Sequence, residues 1–291
     1  MKLKNWHLLR RPAINLQGWR GQLHQSLVDS GIDQPINSSL LLLAAALERP
    51  KTWILAHGEY EPNPQEIQHI HNLSNRVTDG QPLPYVLGQW EFFGRSFKVT
   101  PDVLIPRPET ESLVEIALER LKGIRQPNII DVGTGSGAIA ISLAAELPSA
   151  KVLASDISWA ALKIAQENAQ RLSHPEIRFL QADLLAPLAV QFDLICANLP
   201  YIPTGKLQDL QVAQWEPRRA LDGGESGLEV IVSLLQQARA SLTPAGITLL
   251  EIEASLGPAS LSVARSAFPQ AQIRLTTDLA GRDRILEILQ S

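Results

Sequence analysis

The sequence is poor in several features that would commit a protein to a class. One cysteine, Cys196, stands among 291 residues, so no internal disulfide can form. The 30 Asp and Glu residues outnumber the 26 Lys and Arg residues, and a formal net charge of −4 argues against the basic surface of a nucleic-acid-binding protein. The longest apolar run, residues 40–47, is far shorter than the roughly 20 residues of a membrane-spanning helix. We therefore expect no direct nucleic-acid partner and no membrane segment.

The remaining composition is that of an ordinary folded protein. Hydrophobic residues make up 45% of the chain and charged residues 19%, and the length is sufficient for two domains. Residues 1–7 lack the apolar stretch and small-residue cleavage site of a secretory signal. The sequence predicts a cytoplasmic protein.

Three zones follow one another along the chain. Residues 1–78 carry apolar residues at helical spacing and predict a small helical bundle, with Ser38 and Ser39 as the cap of a helix over residues 40–47 and Pro64 opening another. Residues 79–108 are rich in glycine, proline, aromatic and β-branched residues, which predicts a structured linker with a β-hairpin around Gly94 and Arg95.

Residues 109–291 alternate between strand and helix patterns. Such alternation is typical of an α/β fold with a mostly parallel, doubly wound sheet. The predicted helices are residues 138–145, 160–172 and 228–242. The predicted strands are residues 129–132, 152–156, 177–180, 194–197, 247–252 and 285–289.

A glycine-rich turn follows the first of these strands. Glycines at alternate positions let the backbone approach a ligand closely, and the helix that follows offers free N–H groups. With Ala138 after the turn and Asp156 at the end of the next strand, the pattern also satisfies the dinucleotide fingerprint, which leaves a dehydrogenase open at this point. The turn consists of Gly133, Thr134, Gly135, Ser136 and Gly137.

Asp131 separates the two ligand classes. A carboxylate two residues before the first glycine would lie close to the pyrophosphate of a nicotinamide cofactor, which is unfavourable. It suits a cation better. Adenosylmethionine carries an ammonium and a sulfonium, no phosphate, and a ribose whose hydroxyls Asp156 could bind.

The tetrapeptide Asn198, Leu199, Pro200 and Tyr201 follows the strand 194–197, and we place the chemistry there. In a parallel sheet this position faces the glycine turn. The side-chain oxygen of Asn198 and the carbonyl of Leu199 could both accept hydrogen bonds from a substrate NH2 group, and Tyr201 could form a flat wall beside it. This pattern favours methyl transfer to a planar, conjugated nitrogen.

Together with residues 105–111 and 131–137, this tetrapeptide resembles the HemK/PrmC family, methyltransferases of the glutamine in the Gly-Gly-Gln loop of peptide chain release factors. The likeness extends from about residue 81 to the carboxyl terminus and includes residues 81–88 and 216–229. It implies a Rossmann-like class I methyltransferase fold, with S-adenosyl-L-methionine as cofactor and S-adenosyl-L-homocysteine as product. It also implies that class I release factors are the partners.

The resemblance assigns roles to individual residues as well. It implies cofactor contacts at the turn 133–137, at Asp156, at Leu184 and at Asn198, and a substrate glutamine held by residues 198–201. Two site residues depart from the family pattern: Leu199 stands where a proline is usual, and Leu184 where an aromatic residue is usual. In the linker, Pro84 replaces a residue that is usually polar. Position 199 acts through its backbone carbonyl, so leucine preserves the acceptor.

Two alternatives stay open on the sequence. Enzymes resembling the ribosomal RNA adenine dimethylases also carry Asn-Leu-Pro-Tyr, although they begin near the glycine turn and rely on basic surface. A noncatalytic binding module is the other. We expect a monomer in which residues 1–78 dock the protein substrate, because a glutamine on a loop offers little binding area.

Other polar residues are assigned structural roles or left open between two roles. Cys196 lies on an apolar strand, where successive side chains point to opposite faces, and its apolar flank predicts a buried thiol in the core. His69 and His71 diverge on a helix and have no third ligand, so no metal site is expected. Residues 107–111 fit the polar start of a helix as well as a place at the mouth of the site.

Overall fold

The computed structural model describes residues 14–186, 188–278 and 280–290. Residues 1–7, on which the predicted cytoplasmic location rests, lie outside this range. By its internal contacts the chain divides into two compact units, one ending at Leu87 and the other beginning at Gly88. Within the described ranges, no helix has the length and apolar character needed to cross a bilayer.

The first unit is helical. A buried core that includes Leu16, Leu27, Leu42 and Ile54 holds its helices together. The helices are α1 (Leu16–Asp29), α2 (Pro35–Ala46), α3 (Lys51–Ala56), α4 (Pro64–Thr78) and α5 (Leu83–Leu87). The predicted helical bundle is present.

One predicted helix start is wrong. Helix α2 begins at Pro35, and Ser38 and Ser39 lie buried inside it, with hydroxyls that donate to the carbonyls of Asp33 and Ile36 at 3.3 and 2.8 Å. Proline suits the first helical position because its φ is already helical and its missing N–H has no helical partner there. The serines satisfy their hydroxyls locally and so do not interrupt the helix.

The second unit opens with the predicted hairpin. Strands β1 (Gln89–Phe92) and β2 (Arg95–Lys98) pair antiparallel around a turn at Phe93 and Gly94. Both turn residues have positive φ, 48° and 70°, as a two-residue hairpin turn with the twist of the strands requires.

A seven-stranded sheet forms the centre of the second unit. Its strands are β3 (Asn128–Val132), β4 (Lys151–Asp156), β5 (Arg178–Gln181), β6 (Phe192–Ala197), β7 (Leu242–Glu251), β8 (Gln272–Thr277) and β9 (Asp283–Leu289). They lie in the order β5-β4-β3-β6-β7-β9-β8. The first five strands of this order pair parallel, whereas β9 is antiparallel to both of its neighbours. The predicted α/β class with a mostly parallel sheet is confirmed.

Helices cover both faces of this sheet. In the part of the unit that the structure describes, these α-helices are α6 (Glu111–Arg120), α7 (Ala138–Glu146), α8 (Trp159–Arg171), α9 (Glu229–Ser241) and α10 (Gly257–Ala267). Short 3-10 helices lie at Pro108–Thr110, Thr204–Asp209, Gln211–Gln214, Arg218–Ala220 and Ala254–Leu256. Along β3, Ile129 belongs to the core shared with α6, α7 and the hairpin, and Ile130 belongs to the core shared with α9 and α10. The continuous apolar pattern of the central strands follows from this burial on both faces.

Strand β8 is missing from the sequence-based prediction. It lies at the edge of the sheet, and none of its residues is fully buried. An edge strand that mixes Gln, Arg and Thr with two apolar residues gives too weak an alternation to be recognised.

The sheet topology determines where a ligand can bind. From β3 the chain moves outward through β4 to β5, then returns to the other side of β3 for β6 and β7. The carboxyl ends of β3 and β6 therefore border the crevice at which the direction of winding reverses, the usual ligand site of such sheets.

Candidate active site

A cavity of about 870 Å³ opens at these strand ends. Most of the predicted site residues lie in its wall, and three, namely Asp131, Gly137 and Tyr201, do not. Those in the wall are Gly133, Thr134, Gly135, Ser136, Asp156, Leu184, Asn198, Leu199 and Pro200. The fold thus brings the glycine turn and the tetrapeptide, more than 60 residues apart in sequence, to one cavity.

The glycine turn is held by its neighbours in the sheet. The N–H groups of Gly133 and Thr134 donate to the carbonyl of Ser155 on β4 at 2.8 and 2.9 Å. A Cβ on Gly133 would lie 3.0 Å from the side chain of Leu199, and Gly133 has a positive φ of 74°. The positive φ favours glycine at this position, and an added Cβ would also press on the Leu199 side chain of the tetrapeptide.

Asp131 lies beneath the turn and is fully buried. Its Oδ2 accepts hydrogen bonds from the Thr134 hydroxyl at 2.6 Å and the Ala140 N–H at 3.2 Å, while Oδ1 has no hydrogen-bond partner among the described residues. Burial raises the pKa of Asp131 to about 7, against the lowering effect of these hydrogen bonds. This carboxylate fixes the turn and leaves one oxygen uncompensated.

Asp156 connects the turn to the next helix. Its Oδ2 accepts from Gly135 N–H at 2.9 Å, and its Oδ1 accepts from Ser158 N–H at 2.8 Å, at the start of α8. Burial raises its pKa, and the backbone hydrogen bonds counteract part of that effect. Each carboxylate oxygen can accept a further hydrogen bond, so Asp156 can still bind a ligand hydroxyl from the cavity wall.

Asn198 is fixed by residues distant in sequence. Its Nδ2 donates to Thr110 Oγ1 at 3.1 Å, and that hydroxyl donates to Glu251 Oε2 at 2.6 Å. Thr110 and Glu251 are both buried. The sequence left Thr110 open between a helix start and the mouth of the site, and the structure places it in the cavity wall. Glu251 had no predicted role; the available signal was a carboxylate at the end of a mostly apolar strand.

The backbone of the tetrapeptide packs against the segment 221–227. Ile202 N–H donates to the Leu221 carbonyl at 3.0 Å, and Gly223 N–H donates back to the Ile202 carbonyl at 2.9 Å. A Cβ on Gly223 would lie 2.7 Å from Tyr201 Cα, and one on Gly227 would lie 2.4 Å from the Tyr201 carbonyl oxygen. These glycines permit the close approach that holds residues 200–202 in place.

Tyr201 is partly buried beside charged residues. Burial raises its pKa to about 12, and the negative charge of Glu251 adds to that effect. Tyr201 therefore stays protonated across the physiological range.

Arg107 lies at the cavity wall and pairs with a buried carboxylate. Its guanidinium donates to Glu216, which also accepts from Ile105 N–H at 3.4 Å. Burial raises the pKa of Glu216, and the charge of Arg107 opposes that rise. The pair joins the segments 105–111 and 216–229, both singled out by the sequence analysis.

The residues that the sequence analysis set aside lie elsewhere. Cys196 is fully buried, as predicted, and burial followed by the charge of Asp131 raises the pKa of its thiol well above the usual range. His69 Nδ1 lies 3.0 Å from the Ala46 carbonyl, and His71 packs edge-on against Trp19. Among the described residues, no group of three His, Cys, Asp or Glu side chains is arranged for a metal ion.

Comparison with known proteins first defines a class. The methyltransferase small domain family matches residues 110–215, and the PrmC N-terminal domain family matches residues 19–88. Two solved methyltransferases share the fold. One is the 16S rRNA N2 G1207 methyltransferase of T. thermophilus, solved with AdoMet and guanosine (TM-score 0.52, 21% identity, 70% of this chain and 50% of that one). The other is a methyltransferase of Pyrococcus furiosus (TM-score 0.50, 17% identity, 76% and 98%). At these identities the likeness shows the fold alone.

Curated relatives then define the family. The release factor glutamine methyltransferase of Moorella thermoacetica is 44% identical over 269 residues, which cover 91% of this chain and 94% of that protein. Its namesakes in Deinococcus radiodurans and Bordetella pertussis are 37% and 39% identical, over 89% and 90% of this chain and 93% and 97% of their own. The chain belongs to the release factor glutamine methyltransferase family. The predicted resemblance is confirmed, and the dehydrogenase alternative is set aside.

Proposed function

We propose that this protein transfers a methyl group from S-adenosyl-L-methionine to the side-chain amide nitrogen of the glutamine in the Gly-Gly-Gln loop of class I peptide chain release factors. The observation that carries the proposal is the 44% identity to a release factor glutamine methyltransferase along nearly the whole of both chains. The cavity between the glycine turn and the tetrapeptide supports it.

The cavity residues fit the cofactor. The turn 133–137 is free of side-chain cations, and the buried carboxylate of Asp131 with its uncompensated oxygen favours a cationic ligand over a phosphate. Asp156 would accept hydrogen bonds from the ribose hydroxyls, and Leu184 would give the adenine an apolar contact. When bound, S-adenosyl-L-methionine supplies an electrophilic methyl on sulfur, and S-adenosyl-L-homocysteine remains after transfer.

The tetrapeptide would hold the substrate amide. Asn198 Oδ1 and the Leu199 carbonyl would accept the two N–H groups of the glutamine, orient its nitrogen and stabilise the positive charge that develops there. Pro200 would keep Leu199 extended. Tyr201 follows next in the chain and lies outside the residues that line the cavity. No side-chain nucleophile is needed, and the proton released from nitrogen leaves to water.

The leucine at position 199 is compatible with this role. Its side chain is buried in the core beneath α9 and contacts Gly133, so the carbonyl and not the side chain is the group offered to a substrate. The docking of release factors by residues 1–78, the monomeric state, the cytoplasmic location and the lack of a direct nucleic-acid partner stay predictions.

Transfer of radiolabelled methyl groups tests the proposal. We expect label on an intact class I release factor and none on the same factor with its loop glutamine replaced. Asn198→Ala should lower the rate by roughly 10²–10³, by analogy with the loss of a single oxyanion-hole donor. Label on ribosomal RNA in a parallel reaction, with none on the factor, would move the chain to the adenine enzymes; near-normal turnover of Asn198→Ala would remove Asn198 from the mechanism.

A further inference from the structure

The proposed role of Asn198 depends on which end of its amide faces the substrate. A side-chain amide has an oxygen that accepts and an NH2 group that donates, and the two ends are nearly equal in shape. A substrate NH2 can bind the oxygen but not the NH2 group of Asn198. Rotation of the amide by half a turn would therefore abolish the interaction without changing the packing.

Two buried residues determine the orientation. The Thr110 hydroxyl donates its one proton to Glu251 Oε2 at 2.6 Å, so it has no second proton to offer to Asn198. The Thr110 oxygen is left with lone pairs only, and Asn198 Nδ2 lies 3.1 Å from it. The reversed amide would place its oxygen against the oxygen of Thr110. The order of donors thus runs from Asn198 through Thr110 to Glu251.

The fold brings these three residues together from separate elements. Glu251 is the last residue of β7, whose Leu250 is the register partner of Ala197, the last residue of β6. Asn198 follows directly on β6, so the carboxylate and the amide leave adjacent strands at the same level. Thr110 is the last residue of the 3-10 helix that precedes α6. It lies in the cavity wall beside Asn198.

The Glu251 carboxylate is buried, and its hydrogen bonds lead to the Asn198 amide. Glu251 is only 1% exposed, and burial raises its pKa against the lowering effects of the Thr110 hydrogen bond, the charge of Arg284 and a hydrogen bond from Asn198. A buried carboxylate disfavours folding unless its interactions compensate. Among the described residues, its side-chain hydrogen bonds are to Thr110, which holds the Asn198 amide, and to that amide itself.

We propose that Thr110 and Glu251 are positioning residues that hold the Asn198 amide with its oxygen toward the substrate nitrogen. The inference rests on the proposed function. Through the same hydrogen bonds the carboxylate polarises the Asn198 amide, which makes its oxygen a better acceptor as positive charge develops on the substrate.

A double-mutant cycle on the full-length protein tests this role. Thr110→Val keeps the shape of the side chain and removes the hydroxyl, whereas Thr110→Ser keeps the hydroxyl. We expect Thr110→Val to lower kcat on intact release factor about 10- to 100-fold, the effect of one hydrogen bond involving a charged network. Thr110→Ser should stay within about threefold of wild type, and KM for the release factor should change little in both variants.

The second arm of the cycle uses Asn198→Ala, measured by single-turnover transfer of labelled methyl. In that background Thr110→Val should cause no further loss, because the amide that it orients is gone. Glu251→Gln is measured in the same cycle. The glutamine NH2 group can donate to Thr110, so the Thr110 hydroxyl becomes free to donate to Asn198 and no longer fixes the orientation of its amide. Glu251→Gln also serves if Thr110→Val does not fold, which the midpoint of urea unfolding will reveal.

The outcomes separate the possibilities. Equal losses in the wild-type and Asn198→Ala backgrounds would overturn the positioning role and place Thr110 in an independent contact. A loss in Thr110→Ser as large as that in Thr110→Val would overturn it as well. Failure of the proposed function is distinguishable, because the wild-type protein itself would then leave the release factor unlabelled, and the positioning role would fall with it.

Discussion

At the scale of single residues, Asp131 shows what a ligand site demands of the fold. Its carboxylate is fully buried, supports the turn through Oδ2 and has a pKa raised to about 7. An unfolded aspartate titrates near 3.8, so between about pH 4 and pH 7 the folded state binds a proton that the unfolded state has lost. The stability that this difference contributes is complete below about pH 4 and is lost as the pH rises through about 7.

Asp131→Asn should therefore change the pH dependence of stability. The variant is neutral at every pH, so its free energy of unfolding relative to wild type should increase between about pH 4 and 7 and stay level above. The change is on the order of 4 kcal/mol. Urea unfolding at a series of pH values measures it, with Asp29→Asn, an exposed position on α1, as the control for loss of one negative charge. Parallel pH profiles for wild type and Asp131→Asn would contradict the assigned titration.

The sequence predicts which residues belong to the site more readily than it predicts which of those residues contact one another. The residues at the ends of β3, β4 and β6 were predicted from strand patterns followed by glycine, acid or amide, because a parallel sheet gathers such ends at one edge. The contact between Thr110 and Glu251 spans 141 residues. It depends on the pairing of β6 with β7 and on the path of the chain before α6, which no local pattern specifies.

At the scale of elements, the glycine segment 221–227 acts as a template for the tetrapeptide. Gly227 has a φ of 85°, and a Cβ there would lie 2.4 Å from the Tyr201 carbonyl oxygen. Gly227→Ala should displace residues 200–202 and lower kcat about 100-fold, the cost of misplacing a substrate by about 1 Å. Affinity for S-adenosyl-L-methionine should change little.

Gly205→Ala is the matched control for that substitution. It lies nearby in the 3-10 helix Thr204–Asp209, and a Cβ there meets nothing within 4 Å. Steady-state kinetics on intact release factor compare the two variants. Equal activity of both would show that residues 221–227 do not determine the position of the tetrapeptide.

The Asn168 side chain links the hairpin and the glycine turn through hydrogen bonds to their backbones. From helix α8 its side chain accepts from Lys98 N–H at 2.7 Å and donates to the carbonyls of Lys98 and Ser136 at 3.0 and 2.9 Å. It therefore ties the hairpin to the glycine turn.

Asn168→Ala should lower the free energy of unfolding by about 2–4 kcal/mol, because one buried and two partly buried backbone groups lose their partner. Denaturant unfolding measures the loss, with Gln170→Ala, on the exposed side of the same helix, as control. If the free energies of unfolding of the two variants differ by less than about 0.5 kcal/mol, Asn168 does not stabilise the link between the hairpin and the glycine turn.

Helices and strands were predicted correctly where the hydrophobic pattern was long and the element has the same surroundings along its whole length. The central strands and α7 are apolar on all sides because helices or strands cover them, and both were predicted. Helix α2 began earlier than expected because Pro35 competes with the serines as a start signal. Strand β8 was missed because its edge position relaxes the demand for apolar residues.

At the scale of the whole molecule, alternation of strand and helix predicted the α/β class, and apolar residues at helical spacing predicted the helical region that precedes the sheet. No local sequence pattern in the first unit indicates which of its surfaces would bind a partner. A glutamine with its neighbouring glycines offers far less area than the roughly 800 Å² that each partner contributes to a stable protein interface. Recognition of a whole release factor therefore requires surface beyond the cavity.

A fragment that begins at Gly88 separates catalysis from docking. It keeps the whole second compact unit, including the cavity, so it should bind S-adenosyl-L-methionine and methylate a short peptide containing Gly-Gly-Gln as well as the full chain does. On intact release factor its kcat/KM should fall at least about tenfold, the equivalent of 1.4 kcal/mol of lost docking energy. The peptide reaction is the control, because it reports damage to the second unit itself. If the fragment and the full chain modify the intact factor with equal efficiency, the docking surface lies after Gly88 and the first unit has another role.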